Sequence, residues 1–450
     1  MASRVNVKFV VILSVILTLV FGGVAAVGLM VVLKSGDDLV RMGDAKVKAG
    51  DELGAAGNAA GAQEEYKSAE FLYSKAVAKD RSSVEYLDRW SAVLAKWIPE
   101  TQTLYRSAFD RSMAIRRQKA ILLRTDLEAH NDYLSLLERQ IVLGELSRAA
   151  LDYLASETAS ALQYMEGTSG DALRRYRGRA IVEIMEANLD IADDQRELAK
   201  ADLEAALAAN PADGMAAISL SRWYRAESRR ATAESRPEDA AQLSAQSIET
   251  VRQFAAANPT DATGALGLLQ IEVESSLSAS GTATAETAKL APRVRQVADM
   301  ILAQDPSKLD IIQLARLRLI ETIVTPETTG AVTSEVIERA IAANPTDPDL
   351  LALRARISFE SRDYASAIEQ YQQIRDLPAQ PVSLKGMRRF LRRVEAVSQQ
   401  AECALGMWEQ AKSAEEKAAL IDRASKYRAA LATELPTDAP ALLLLDAKIA

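Results

Sequence analysis

Three short runs set arginine beside an aromatic ring: Arg174-Arg175-Tyr176-Arg177-Gly178-Arg179, Arg222-Trp223-Tyr224-Arg225 and Arg388-Arg389-Phe390-Leu391-Arg392-Arg393. A guanidinium can fork onto a carboxylate or phosphate, and it can stack on a flat ring. Such residues suit an acidic peptide tail or an anionic polymer such as a surface polysaccharide. They also suit an exposed helix face, with aliphatic stems over apolar surface and charged heads in water. Both readings stay open at this stage.

Little else in the chain could carry chemistry. His130 is the only histidine and, between Glu128-Ala129 and Asn131-Asp132, reads as solvated. Cys403 is the only cysteine, which rules out an intrachain disulfide and a cysteine-based metal site. There is no HExxH, GxxxxGK[ST] or GxSxG pattern, and no GxGxxG follows a strand. Aspartate and glutamate total 62, and in a helical protein they are expected on solvated faces, paired with Lys and Arg one turn away. The expectation is a protein that is not an enzyme and has no cofactor or metal. The net charge of −8 argues against a nucleic-acid partner, because neutralising phosphates supplies most of that affinity. Proteins or peptides are the expected partners.

The elements that would position these residues are helices. Hydrophobic residues make up 48% of the 450, aromatics only 5%, and there are 20 glycines and 13 prolines. A chain rich in Ala and Leu with so few breakers loses little conformational freedom in helices, and no strict period-2 alternation bounded by tight turns appears. After a short tail, residues 1–8, the 25 residues Phe9 to Leu33 carry no charge and lie between Lys8 and Lys34. As a helix this run spans roughly 37 Å, against a ~30 Å hydrocarbon core. A cleaved signal peptide would stop sooner: Gly23-Val24-Ala25-Ala26 offers small residues, yet the apolar run continues to Leu33. The expectation is one N-terminal transmembrane helix, 9–33, with the rest of the chain extracytoplasmic, although Lys34, Arg41, Lys46 and Lys48 weight the far flank. Gly22 and Ala26 form a small-xxx-small pair through which two spans could self-associate.

Downstream, one phrase recurs: an Ala-rich amphipathic helix, then a proline stop. It reads Ala208-Ala209-Asn210-Pro211, Ala256-Ala257-Asn258-Pro259, Ala303-Gln304-Asp305-Pro306, Ala342-Ala343-Asn344-Pro345 and Thr433-Glu434-Leu435-Pro436. The residue before proline is pushed out of the α region, so each helix must end there. Asp213, Asp261, Asp347 and Asp438 then stand ready to cap the next helix. Loops are expected at Gly54–Gly61, Gly167–Gly170, Ser278–Thr284 and Thr325–Thr333. Tyr86, Trp90, Val93, Leu94 and Trp97 form one apolar helical stripe, and Tyr133, Leu134, Leu136, Leu137 and Ile141 another.

The clearest repeat begins at Pro348, with Leu350, Leu351 and Leu353 in a first helix, a turn at Ser361-Arg362-Asp363-Tyr364, and Ala367, Tyr371 and Ile374 in a second helix closed by Pro378. It resembles the tetratricopeptide repeat, a helical hairpin of about 34 residues. Ala69, Tyr73 and Ala76, followed by Asp80-Arg81-Ser82, show the same small-aromatic spacing. The resemblance implies a partner lying along the face lined by first helices, and it places Arg356 and Phe359 toward that face. Departures are plain: successive stops from Pro211 to Pro436 lie 48, 47, 39, 33 and 58 residues apart, and the Trp and Gly typical of the first helix are mostly missing. The fold expected is therefore all-α: an irregular α-solenoid of tetratricopeptide-like hairpins, divergent over 36–166 and clearer over 170–450. Chance similarity among unrelated helical bundles is the plainer alternative. The end, Pro440 to Ala450, reads as the first helix of a further repeat with Leu442 to Leu445 unpartnered, as in a truncated array.

Taken together these features predict a membrane-tethered scaffold that binds proteins. Two alternatives remain: a surface module gripping an anionic polymer or peptide through Arg388, Arg389, Arg392 and Arg393, or the recognition arm of a larger protein.

Overall fold

The computed structural model describes residues 34–449 apart from 144–146, 166, 168–169, 188–190, 281–284, 305–310, 326–330, 434 and 436–438. Every secondary-structure element among the described residues is a helix, and none is long and apolar enough to cross a membrane. The predicted span 9–33 lies outside the described residues, as do the stops at Pro306 and Pro436. The helices form two compact units: the chain up to Leu122 together with Pro381–Ser383, and Leu123–Gln380 together with Leu384–Ala450. The sequence-based boundary at 166–170 falls inside the second unit.

The first unit comprises α1 (Gly36–Ala55), α2 (Ala59–Lys79), α3 (Val84–Leu94) and α4 (Gln102–Leu122). Ser35 opens α1 with a capping box, accepting from the Asp38 amide while the Asp38 carboxylate accepts from the Ser35 amide. Along α1, Gly36, Gly43 and Gly50 recur every seven residues, nearly two helical turns, and so form one stripe. A tyrosine ring lies over each. A Cβ at Gly43 would sit 2.6 Å from Tyr73 Cε1, at Gly50 2.6 Å from Tyr66 Cε1, and at Gly36 2.7 Å from Tyr86. Each glycine is followed by an aspartate that accepts from the same tyrosine hydroxyl: Asp44 at 2.7 Å from Tyr73, Asp51 at 2.8 Å from Tyr66, and Asp37 from Tyr86. Close approach and polar satisfaction are thereby met by one Gly-Asp pair per repeat. Of the predicted aromatic stripe, Val93, Leu94 and Trp97 are buried, while Tyr86 and Trp90 are half-buried.

The second unit holds α5 (Leu127–Leu143), α6 (Arg148–Leu162), α7 (Asp171–Glu186), α8 (Asp193–Ala209), α9 (Gly214–Ala233), α10 (Pro237–Ala257) and α11 (Ala262–Ser280). It continues with the single turn α12 (Ala285–Ala288), then α13 (Ala291–Leu302), α14 (Ile311–Val324), α15 (Ala331–Ala343), α16 (Pro348–Glu360), α17 (Tyr364–Asp376), α18 (Leu384–Gln410), α19 (Ala414–Leu431) and α20 (Pro440–Ile449). Consecutive helices pack as tetratricopeptide-like hairpins, and two junctions recur. Within hairpins the turn is three residues: Ala56-Gly57-Asn58, Glu234-Ser235-Arg236 and Ser361-Arg362-Asp363. The middle residue is left-handed, with φ of 80° at Gly57 and 60° at Ser235 and Arg362. The next amide reaches back to Leu53, Ala231 or Ser358 at 2.9, 2.8 and 2.9 Å, which satisfies carbonyls the helix end leaves open. Between hairpins the proline stops act as the sequence predicts. The amides of Asp213, Asp261 and Asp347 return to the carbonyls of Asn210, Asn258 and Asn344 at 3.0, 3.0 and 3.1 Å. Their carboxylates then accept from the first amides of α9, α11 and α16.

In the Pro348 hairpin, Leu350, Leu351, Ala367, Tyr371 and Ile374 are all buried. They join one apolar core that runs from Ala262 in α11 to Cys403 in α18. Each fully buried leucine or isoleucine contributes about 1.5–3 kcal/mol relative to exposure. Two expectations need correction. His130 is buried, 5% exposed, with its Nε2 3.0 Å from the Arg124 carbonyl, because the turn before α5 folds back over the ring. The leucines of α20 are also not all unpartnered: Leu442 and Leu445 pack with Val397, Ala401 and Leu431, while Leu443 and Leu444 face solvent. Helical periodicity separates the two pairs.

Candidate partner-docking groove

On α9 the spacing of three and four residues puts Arg222, Arg225 and Arg229 on one face. Trp223 turns the other way into the core and donates from its ring to the Arg196 carbonyl at 2.8 Å. The arginine face meets carboxylates on both neighbouring hairpins. Arg222 donates to Glu183 Oε1 at 2.6 Å and to Glu186 Oε2 at 2.7 Å on α7. Arg225 donates to Glu186 Oε1 at 2.9 Å and to Glu274 Oε2 on α11 at 2.5 Å. Arg179 extends the series, reaching Glu138 on α5 at 3.0 Å and Glu183 at 3.8 Å. Charges of alternating sign thus run from α5 through α7 and α9 to α11. Burial alone would raise the Glu183 and Glu186 carboxyls, but the Arg222 guanidinium overrides it and holds both below the usual range. Each group keeps a second partner, Glu183 with Arg179, Glu186 with Arg225, and Arg222 with both glutamates, so the loss of one member weakens the network without leaving a lone charge.

Beside this ladder opens a cavity of about 290 Å³, lined by α7, α9, α11 and α14 with Val251 from α10. One edge is charged, with Arg222, Arg225, Glu186, Glu274 and Arg316. The lining also includes the aliphatic side chains Ile218, Leu277, Leu319 and Ile323. Leu319 is the most exposed large apolar side chain among the described residues, at 64%. Gly267 forms part of the lining, where a Cβ would collide with Ile218. Ser221 also lines the cavity, but its hydroxyl is engaged with the carbonyl and hydroxyl of Ser247, each at 2.9 Å. The lining offers shape, apolar contact and charge.

The remaining arginine runs correct the expectation of heads in water: the charges are turned onto neighbouring helices. Arg177 donates to the fully buried Asp202 at 2.6 Å and Arg174 does so at 3.2 Å, while Arg175 lies 4.4 Å over the Tyr176 ring. Arg388 and Arg392 converge on Asp349, itself 2% exposed in the first turn of α16, with Arg392 Nε 2.6 Å from Oδ1. Arg389 is buried and donates to the Leu377 carbonyl, and Arg393 is half-buried. Arg356 is exposed and pairs with Glu360 at 2.9 Å. Phe359 is half-buried, edge-on to Tyr364 at 5.5 Å. None of these six predicted site residues lines the groove. The groove residues the sequence reading missed, Glu186, Glu274, Arg316 and Leu319, come from helices up to 137 positions apart along the lining from Glu186 to Ile323, so no local pattern marks them.

No family model and no curated protein matches this chain. Among solved structures, it is similar to a human IFIT1 dimer with PPP-AAAA, at 14% identity over 69% of this chain and 68% of that one, with a TM-score of 0.33. A monomeric IFIT1 mutant with m7Gppp-AAAA matches at 13% identity, covering 84% and 80%, with a TM-score of 0.37. Yeast Tom70 matches at 10% identity, covering 91% and 96%, with a TM-score of 0.22. Likenesses this loose assign neither a family nor a function.

Proposed function

We propose that this chain is a membrane-tethered scaffold that docks protein partners and holds them without chemical turnover. The apolar run 9–33 serves as the single-pass anchor, with the helical part extracytoplasmic. The observation that carries the reading is the open groove over α7, α9, α11 and α14, where successive hairpins present an aliphatic wall beside a fixed charged edge. Arginines of the three runs, those at the groove included, meet Asp202, Glu183, Glu186, Glu274 and Asp349, which disfavours a role in tracking a phosphate backbone.

Cross-linking the full chain in carbonate-washed membranes, followed by affinity capture, tests this function. The chain is expected to stay with the membranes and to bring down a small, reproducible set of proteins. Release of the chain by carbonate, or no enrichment over a mock purification across a range of salt, counts against it.

A further inference from the structure

Residues 377–383 run between α17 and α18 without helical structure, and two of them, Pro378 and Pro381, have no amide to give. The root of this strap is held in the second unit, where the buried Arg389 donates to the Leu377 carbonyl. Its tip, Pro381–Ser383, belongs to the first unit. The Val382 amide donates to the Trp97 carbonyl at 3.2 Å. The Tyr105 hydroxyl donates to the Pro381 carbonyl at 2.6 Å and accepts from the Ser383 amide at 3.1 Å. Val382, Trp97 and Tyr105 are all buried. The corner after α3 that receives the tip is itself fixed by Gln63 on α2, which accepts from the Ile98 amide at 2.7 Å and donates to the Lys96 carbonyl at 3.4 Å. In a helical array each repeat contacts its neighbours, yet Tyr105 and Pro381 stand 276 residues apart. The stretch 123–380 is therefore fastened to the first unit at both ends, by chain continuity after Leu122 and by the tip of the strap.

We infer that the strap is a releasable clasp. The corner after α3, together with Tyr105, is a receptor for Pro381-Val382-Ser383, and the tip leaves and re-enters it while the helices stay folded. The bonds at the tip are ones that water replaces on release, so each adds little net stability. Val382 is the one fully buried side chain of the strap, and Pro378 and Ala379 behind it are exposed. A segment with so little buried and no helix of its own opens at a lower free energy than the helices it joins. Release frees the far end of 123–380, while the near end stays joined at Leu122.

Hydrogen exchange of the full chain in detergent micelles, followed by mass spectrometry, reads the clasp. In the parent chain the Val382 and Ser383 amides should exchange more slowly than in a free peptide of residues 377–386, yet faster than the amides of Ala396 and Ala404 inside α18. Exchange at the free-peptide rate means that the tip is not docked, and exchange as slow as in α18 means that it is not released; either result overturns the inference without any variant. Tyr105→Phe keeps the ring and removes the hydroxyl, and should speed exchange at both tip amides by about tenfold. The Val382 amide is the discriminating readout, because its own acceptor is Trp97 and it accelerates only if the whole tip lets go. Val382→Ala, which withdraws part of the buried side chain, should act in the same direction. In both variants the amides of α1 and α2 and the melting temperature should stay as in the parent. Faster exchange throughout the first unit, or no change at Val382 in Tyr105→Phe, contradicts a clasp that opens by itself.

Discussion

Glu183 and Glu186 lie where a hairpin hands over to the next, and acid is the way to probe them. Both carboxyls are held below their ordinary value of 4.5, against the raising effect of burial, by Arg222. A group whose value is lower in the folded than in the unfolded chain contributes fully above the unfolded value, and the contribution is lost as pH falls through the folded one. The thermal midpoint, followed by calorimetry, should therefore fall as the pH drops below 4.5, and in Arg222→Met the fall should be shallower. Identical slopes would mean that the pairing contributes nothing. At this scale the sequence was least legible. It shows that Arg222 and Arg225 are three residues apart and hence on one face, but not that Glu183, Glu186 and Glu274 come to meet them. The same holds for Glu321, fully buried, whose carboxylate caps the start of α15 by accepting from the amides of Val332 and Thr333 at 2.8 Å. Nothing local to α15 announces that cap. His130 erred in the opposite direction: polar neighbours in sequence do not decide which face of a helix is covered.

Among the elements, α1 shows how a two-residue unit sets a helix pair. Gly43→Ala would drive a Cβ to 2.6 Å from the Tyr73 ring, whereas at Gly54 the added Cβ would meet only the Ala62 Cβ at 3.8 Å. The first substitution should destabilise the unit by about 1–3 kcal/mol through overpacking. The second should be neutral or stabilising by up to about 1 kcal/mol, since alanine is the better helix former. Chemical denaturation of the two variants side by side checks the pair, and equal effects would show that the ring contact does not set the helix spacing. Much at this scale was readable. Asn-Pro followed two residues later by Asp fixed three junctions, because the backbone restriction and the cap are both local. The turn at Ser361-Arg362-Asp363-Tyr364 was readable, but the left-handed conformation of Arg362, and of Ser235 in its own turn, was not, since neither is the glycine that such a conformation favours. The Gly-Asp period in α1 was present in the sequence, but its meaning depends on tyrosines from two other helices.

For the molecule as a whole, the all-helical, tetratricopeptide-like character was legible from composition and from the repeated stops, since both act through the local backbone. The groove was not, because it is assembled from five helices whose spacing in sequence is irregular. The central claim is that partners dock there, on a chain held at the membrane. A photo-reactive side chain placed at position 319 of the full chain, expressed in its cells, tests it most directly, with one at position 71 as a control. Phe71 is also an exposed apolar residue, 48% against 64%, but it lies on α2 in the first unit. Illumination should give discrete protein adducts from position 319 and none, or far fewer, from position 71. Equal adducts from both positions, or none from position 319, would contradict the account.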